Sequence, residues 1–289
     1  MSPDGASADG GVVNPDEGGA VKRDAPLGVF DSGLGGLTVV RALREALPRE
    51  RIVYLGDTAR VPYGSKARET VVKYALACAR HLVGRDVKAV VIACNTVSSV
   101  ATERLRVELD IPVIGVVEPG ARAAVAATRA GRIGVLATTG TIAAGAYPRA
   151  VAQVSTRAEV FAQAAPLLVP LAEEGWTDGE VPRLVVRRYI EPFAAYGVDV
   201  ILLGCTHYPL LRAVIEAEVT SCIGRDVSIV DSARATAAET RTFLQKRGLA
   251  RTAGDGNVEL LVTDLPRTFE EVASRFLGGT VGAVEQVDL

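Results

Sequence analysis

Val90-Val91-Ile92-Ala93-Cys94-Asn95-Thr96 is an apolar run that ends in a cysteine and then turns polar. Its length suits a strand buried on both faces, and the residues after it carry a helical period. The same pattern returns at Ile201-Leu202-Leu203-Gly204-Cys205-Thr206-His207. A second pair lies upstream. Leu27-Gly28-Val29-Phe30 runs into Asp31-Ser32-Gly33, and Ile133-Gly134-Val135-Leu136 runs, one residue later, into Thr138-Thr139-Gly140. The offsets are 106 residues from Gly28 to Gly134 and 111 from Cys94 to Cys205. Offsets this close favour a duplicated unit over a coincidence of common strand–helix motifs.

Outward from these segments the alternation continues. Strand-length apolar runs fall at 27–30, 52–55, 89–93, 112–117, 133–136, 200–203 and 228–230. Helix-length segments fall at 37–47, 65–83, 96–109, 121–130, 210–218 and 233–246. Alternation of this kind builds βαβ units and parallel sheets, with functional loops at the carboxyl ends of the strands. The expected class is therefore α/β: two similar lobes, each a mostly parallel sheet flanked by helices, with the active site in the cleft between them. Residues 1–25 differ. They hold five glycines and two prolines with no Leu, Ile or aromatic residue. Such a segment cannot bury enough apolar surface to offset its ordering entropy, so a disordered tail is expected there.

The chain has 289 residues, which at about 150 per domain leaves room for two domains. Its net charge is -2, so there is no basic excess to neutralise phosphates. Aromatic residues make up only 5%, too few for base-stacking platforms. No nucleic-acid partner is expected. The longest apolar stretches are strand-sized, so no membrane partner is expected either. The N-terminus lacks a basic patch followed by an apolar region, which argues against a secretory signal. Cysteines at 78, 94, 205 and 222 contain no C-x-x-C, and with two histidines no metal site is expected. A cytoplasmic protein with reduced thiols fits this usage.

Four segments carry chemistry. Asp31-Ser32-Gly33-Leu34-Gly35-Gly36 follows a strand and opens a helix, where backbone N–H groups meet anions. It is no dinucleotide fingerprint, because the sixth residue counted from Gly33 is Thr38. A small ligand with both a carboxylate and an ammonium suits it: helix N–H groups and Ser32 for the first, Asp31 for the second. The loop from Gly56 to Ser65, with Pro62, Tyr63 and Gly64, reads from its residues as a punctuated loop with one exposed tyrosine. Cys94 and Cys205 each end a strand before a helix start, where dipole and free N–H groups favour a thiolate. Two such thiols facing each other across a cleft suggest inversion of a stereocentre, one base taking a proton and the opposite acid returning one. Cys78, inside a helix segment, and Cys222, with no helix start, read as inert. His207 is placed to assist Cys205 or hold the substrate. Either Glu173 or Glu174 is a candidate to enter the cleft, and Thr138 and Thr141 are candidates for binding a carboxylate.

Taken together, Asp31-Ser32-Gly33-Leu34-Gly35-Gly36, Gly56-Asp57-Thr58-Ala59-Arg60-Val61-Pro62-Tyr63-Gly64, Ala93-Cys94-Asn95-Thr96 and Leu203-Gly204-Cys205-Thr206-His207-Tyr208-Pro209 resemble the glutamate racemase family. The likeness runs from about Pro26 to near Gly278. It implies a cofactor-independent isomerase of the aspartate/glutamate racemase superfamily that makes D-glutamate for peptidoglycan. By this resemblance Cys94 deprotonates D-glutamate and Cys205 deprotonates L-glutamate. Asp31 supports the first thiol; Glu173 and His207 support the second. Asp31, Ser32, Tyr63, Gly64, Asn95, Thr96, Thr206 and His207 match substrate-binding positions. The implied division is a first lobe of 26–118 plus 229–289 and a second of 119–228. The implied assembly is a homodimer.

Three other readings compete. A racemase of the same superfamily acting on aspartate or a hydantoin keeps the cysteines and changes the side-chain contacts. A Cys205–His207 acyl-transfer enzyme gives Cys94 no role, and two residues on a tight turn are expected to meet poorly. A non-catalytic amino-acid binder needs no thiols.

Overall fold

The computed structural model describes residues 22–265 and 269–289. Its first half runs β1 (Leu27–Asp31), α1 (Leu37–Ala46), β2 (Ile52–Gly56), α2 (Arg68–Val83), β3 (Ala89–Ile92), α3 (Asn95–Glu108) and β4 (Val113–Gly115). Next come α4 (Val117–Ala127), β5 (Arg132–Ala137), α5 (Thr139–Ala143), α6 (Ala146–Val154), β6 (Glu159–Ala164), α7 (Leu168–Glu173), α8 (Glu180–Ala194), β7 (Val200–Gly204), α9 (Arg212–Cys222) and β8 (Ser228–Asp231). The chain closes with α10 (Ser232–Lys246), β9 (Val258–Val262), α11 (Phe269–Leu277) and β10 (Val284–Gln286).

The strands form two sheets, ordered β10-β9-β2-β1-β3-β4 and β6-β5-β7-β8. All their pairings are parallel. The second sheet repeats the order of the first: β6-β5-β7-β8 matches β2-β1-β3-β4 strand for strand. Registers agree as well, since Phe30 pairs with Ile92 and Leu136 with Leu203. Cys94 and Cys205 each lie two residues beyond those partners, so the repeated sequence pattern corresponds to equivalent places in two sheets.

Strands buried on both faces must be apolar throughout, and β1, β2, β3 and β7 are buried along their whole length. Leu27 and Val29 pack into one core and Phe30 into another. The first of these cores runs from lobe to lobe, joining Val91 on β3 to Leu203, Tyr208 and Phe276. The helix α10 packs on α1 as well as on α4. After it β9 and β10 extend the first sheet. The strand before α10, β8, pairs with β7 in the second sheet.

Several element boundaries differ from the sequence expectation. The strand expected at 112–117 stops at Gly115, and α4 starts at Val117 rather than at 121. Pro119 falls in the first turn of α4, where a missing N–H costs nothing, so it does not delay the helix. The helix expected at 65–83 begins at Arg68. Pro209 enters a short 3-10 turn, Tyr208–Leu211, and α9 starts only at Arg212 and extends to Cys222. The expected tail of 1–25 lies outside the described residues up to 21. Residues 22–24 make a helical turn, with Arg23 Nε donating to Gly248 O at 3.2 Å.

A buried ion pair ties this segment down. Lys88 and Glu50 have side chains only 1% exposed and bond to each other. Lys88 Nζ also donates to Arg23 O at 2.8 Å and Leu249 O at 2.9 Å, and Arg251 N donates to Glu50 Oε1 at 2.7 Å. Burial lowers the pKa of Lys88, opposed by the hydrogen bond and charge of Glu50.

Candidate active site

Both cysteines sit at carboxyl ends of strands, where parallel sheets leave room for ligands. Cys94 is the N-cap residue of α3 and is 6% exposed; Cys205 follows β7 and is 5% exposed. Cys94 Sγ donates to Ser32 Oγ at 3.5 Å. The helix start is expected to favour the Cys94 thiolate, but the balance goes the other way. Burial pushes Cys94 up to about 12, helped by the charge of Asp31, against its hydrogen bonds with Ser32 and the Val97 N–H. Cys205 also contributes to that rise, which places the two sulfurs in one electrostatic environment.

Asp31 ends β1 and is 1% exposed. Gly33 N donates to its Oδ2 at 3.1 Å, while Oδ1 is buried without a partner among the described residues. Burial raises its pKa, opposed by the charge of His207 and by the N–H groups of Gly36, Gly33 and Ser32. Asp31 from the first half-site thus senses His207 from the second. Gly35, in the loop after Asp31, packs against His207. A Cβ there would come within 2.4 Å of His207 Cε1 and Thr206 Oγ1, so the glycine is required by the close approach of the two loops. Thr38 Oγ1 fastens the same junction by donating to Thr206 O at 2.9 Å.

On the second side, Cys205 Sγ lies 3.8 Å from His207 Nδ1, and His207 Nε2 lies 3.0 Å from Glu173 Oε1. The tight turn expected to keep Cys205 and His207 apart instead brings them into contact. Thr206 Oγ1 is 3.3 Å from the same Nδ1. Burial lowers the pKa of His207, but hydrogen bonds and charge from Cys205 and Glu173 outweigh it and bring it up to about 10. Because this folded value is raised, its contribution to stability is complete below about pH 6.5 and is lost as pH climbs through about 10. The pair of acids is resolved by geometry: Glu173, not Glu174, bonds to His207. Glu173→Gln is expected to lower the His207 titration midpoint toward the ordinary histidine range, and Glu174→Gln to leave it in place. With two histidines in the chain, imidazole NMR reads this directly. An unmoved midpoint in Glu173→Gln would show that the carboxylate does not hold the ring.

Polar groups of both lobes line the space between. Thr96 Oγ1 is 3.0 Å from Thr138 Oγ1 and 3.4 Å from Thr141 Oγ1. Thr138 also caps α5, accepting from Thr141 N at 3.3 Å. Gly140 N donates to Gly64 O at 3.0 Å, crossing the lobe boundary. Tyr63 differs from expectation. It is 2% exposed, and its hydroxyl bonds to Asp57, so its side chain is committed within the first lobe. Only its backbone remains to serve a ligand. Cys78, 0% exposed, packs beside Tyr63 in the core of the first lobe, and Cys222 ends α9.

Three residues of this neighbourhood escaped the sequence reading. Tyr147 on α6 donates to Asn95 Oδ1 at 2.6 Å. Phe276 on α11 meets the His207 ring edge-on at 5.0 Å. Arg275 donates to the backbone carbonyl of Glu173. No local pattern marks them, since each reaches the site from a distant part of the chain.

The chain matches known proteins along most of its length. Residues 32–240 match the model of the Asp/Glu/hydantoin racemase family. A glutamate racemase of Geobacter metallireducens is 51% identical over 264 residues, covering 91% of this chain and 96% of that protein. Among solved structures, a glutamate racemase from Thermus thermophilus in complex with β-chloro-D-alanine is 45% identical with a TM-score of 0.83, covering 92% of this chain and 98% of that one. One from Francisella tularensis in complex with D-glutamate is 35% identical with a TM-score of 0.85, at the same coverage. With the family pattern spanning both half-sites and relatives matched along nearly their whole length, the chain belongs to the Asp/Glu/hydantoin racemase family.

Proposed function

We propose that the protein is a glutamate racemase that inverts the α-carbon of glutamate with two thiols and no cofactor. The observation that carries this reading is the equivalence of Cys94 and Cys205: matching ends of two duplicated sheets, in one buried site. In the L-to-D direction the Cys205 thiolate takes the α-proton, breaking the Cα–H bond and forming S–H. The Cys94 thiol then delivers its proton to the opposite face, leaving a Cys94 thiolate. The D-to-L direction reverses each step. Proton exchange with solvent restores the starting state.

The surrounding groups divide between the thiols. Asp31 and Ser32 stand by Cys94, while His207, held by Glu173, stands within reach of the Cys205 sulfur. A substrate ammonium group entering beside Asp31 opposes the charge that holds Cys94 up. Asn95, Thr96, Thr138, Thr206 and the backbone of Tyr63 and Gly64 supply hydrogen bonds for the carboxylates. Such fixed dipoles in a dry site are what a carbanion-like transition state requires. The Cys205–His207–Glu173 array also has the form of an acyl-transfer triad, but that reading leaves Cys94, Asp31 and Ser32 without a task. We further assign the protein to the cytoplasm, as a homodimer supplying D-glutamate for peptidoglycan.

The test is L-glutamate in D2O with no added cofactor, followed by optical rotation and the α-proton NMR signal, with L-aspartate as control. Loss of rotation with deuterium entering glutamate alone is the expected result. Exchange of aspartate instead moves the substrate assignment, and no exchange of either, in folded protein with reduced thiols, overturns the two-thiol mechanism.

A further inference from the structure

We propose that Tyr147 is a positioning residue for this reaction: its hydroxyl, reaching across the lobe boundary, fixes which end of the Asn95 amide stands free beside Cys94. The inference rests on the racemase reading above. Asn95 directly follows Cys94, opens α3 and is 2% exposed. An amide has two ends of nearly equal shape, one accepting and one donating, and a buried amide needs a partner to choose between them. Tyr147 Oη donates to Oδ1 at 2.6 Å. That leaves Nδ2 as the free end, buried and without a partner among the described residues. A buried donor left unpaired is costly, and it suits a site where a ligand oxygen completes the bond.

The surroundings of Tyr147 are shaped for this task. It is 1% exposed on α6, so its ring is held by packing. Gly204 makes room for it, since a Cβ there would lie 2.9 Å from Tyr147 Cε2. Gly204 is the residue before Cys205, so one aromatic ring packs against the second thiol's strand while its hydroxyl orders the amide beside the first. A tyrosine hydroxyl is protonated at neutral pH, and burial raises the Tyr147 pKa further from it.

Tyr147→Phe removes the hydroxyl and preserves the ring packing. Tyr147→Phe, Asn95→Ala and the double variant would be compared for kcat/KM in L-glutamate racemisation. Tyr147→Phe is expected to lose about tenfold, the effect of one buried hydrogen bond. Asn95→Ala is expected to lose at least as much, and the double variant to match Asn95→Ala within about twofold, because Tyr147 acts only through Asn95. A Tyr147→Phe variant within about twofold of wild type, or losses that multiply in the double variant, would overturn the proposal. A second readout needs no turnover. The Asn95 side-chain amide signals, assigned by their absence in Asn95→Ala, report the bond that Oδ1 accepts through the Cγ carbon-13 shift, which is expected to move upfield in Tyr147→Phe. An unchanged Cγ shift would overturn the positioning role. Wild-type protein without α-proton exchange would instead overturn the racemase reading, and the amide signals would still decide whether Tyr147 orders Asn95.

Discussion

Cys205→Ala is expected to abolish racemisation in both directions, with kcat/KM falling on the order of 10³- to 10⁴-fold, as does removal of an essential acid–base group. Cys94→Ala is expected to do the same. Both directions must suffer equally, because two enantiomers in water have equal free energies and any change at the transition state is shared. The variants are told apart by exchange without inversion. Cys205→Ala keeps the thiol on the D-glutamate side, so D-glutamate is expected to take up solvent deuterium while keeping its configuration. Cys94→Ala is expected to do this with L-glutamate only. Cys222→Ala, altering a half-buried residue at the end of α9, serves as the unaffected control. Incubation in D2O with NMR and chiral separation reads all of these. A single-thiol variant that still racemises would end the two-base mechanism.

Lys88→Met is expected to destabilise the fold by about 3–5 kcal/mol, because it strands the Glu50 carboxylate in a site from which water is excluded. The carbonyls of Arg23 and Leu249 lose their shared donor in the same step. Urea unfolding at neutral pH measures the loss. Lys88→Met combined with Glu50→Leu is expected to recover much of it, since removing both charges relieves the desolvation that made the single change costly. Recovery will be incomplete, because Arg251 N loses its acceptor when Glu50 is replaced. A single variant as stable as wild type would mean that the pair is hydrated in solution. Glu50 and Lys88 precede β2 and β3, at the amino ends of the strands and opposite the carboxyl ends that carry the active site, so the folded fraction is expected to keep its kcat.

Much of the fold follows from local pattern. Strands buried on both faces are written as unbroken apolar runs, so β1, β2, β3, β5 and β7 are plain in the chain. The edge strand β6 is not: Glu159–Ala164 is half-exposed, and its mixed composition carries no such run. The short helices α5 and α7 were equally silent, being too brief to show a period. The apolar run through Val117 read as one strand, though it divides at Val116 between β4 and α4. Tertiary packing settles such cases, because a short apolar segment satisfies a strand or a helix equally well.

The same division holds for the site. By itself the sequence determined that two cysteines occupy equivalent strand ends, since strand length, period and the residue after each strand are local properties. It also placed Asp31, Ser32, Asn95 and His207 beside those ends, for they are chain neighbours of the cysteines or of β1. Only the tertiary structure decided that Glu173 rather than Glu174 reaches His207, and that Tyr63 turns its hydroxyl to Asp57. It alone decided that Tyr147, Arg275 and Phe276 join the site. The reason is physical. A side chain's direction depends on what packs against it from remote segments, and whether a thiol rests protonated depends on burial, as Cys94 shows by rising where a helix start alone would have lowered it.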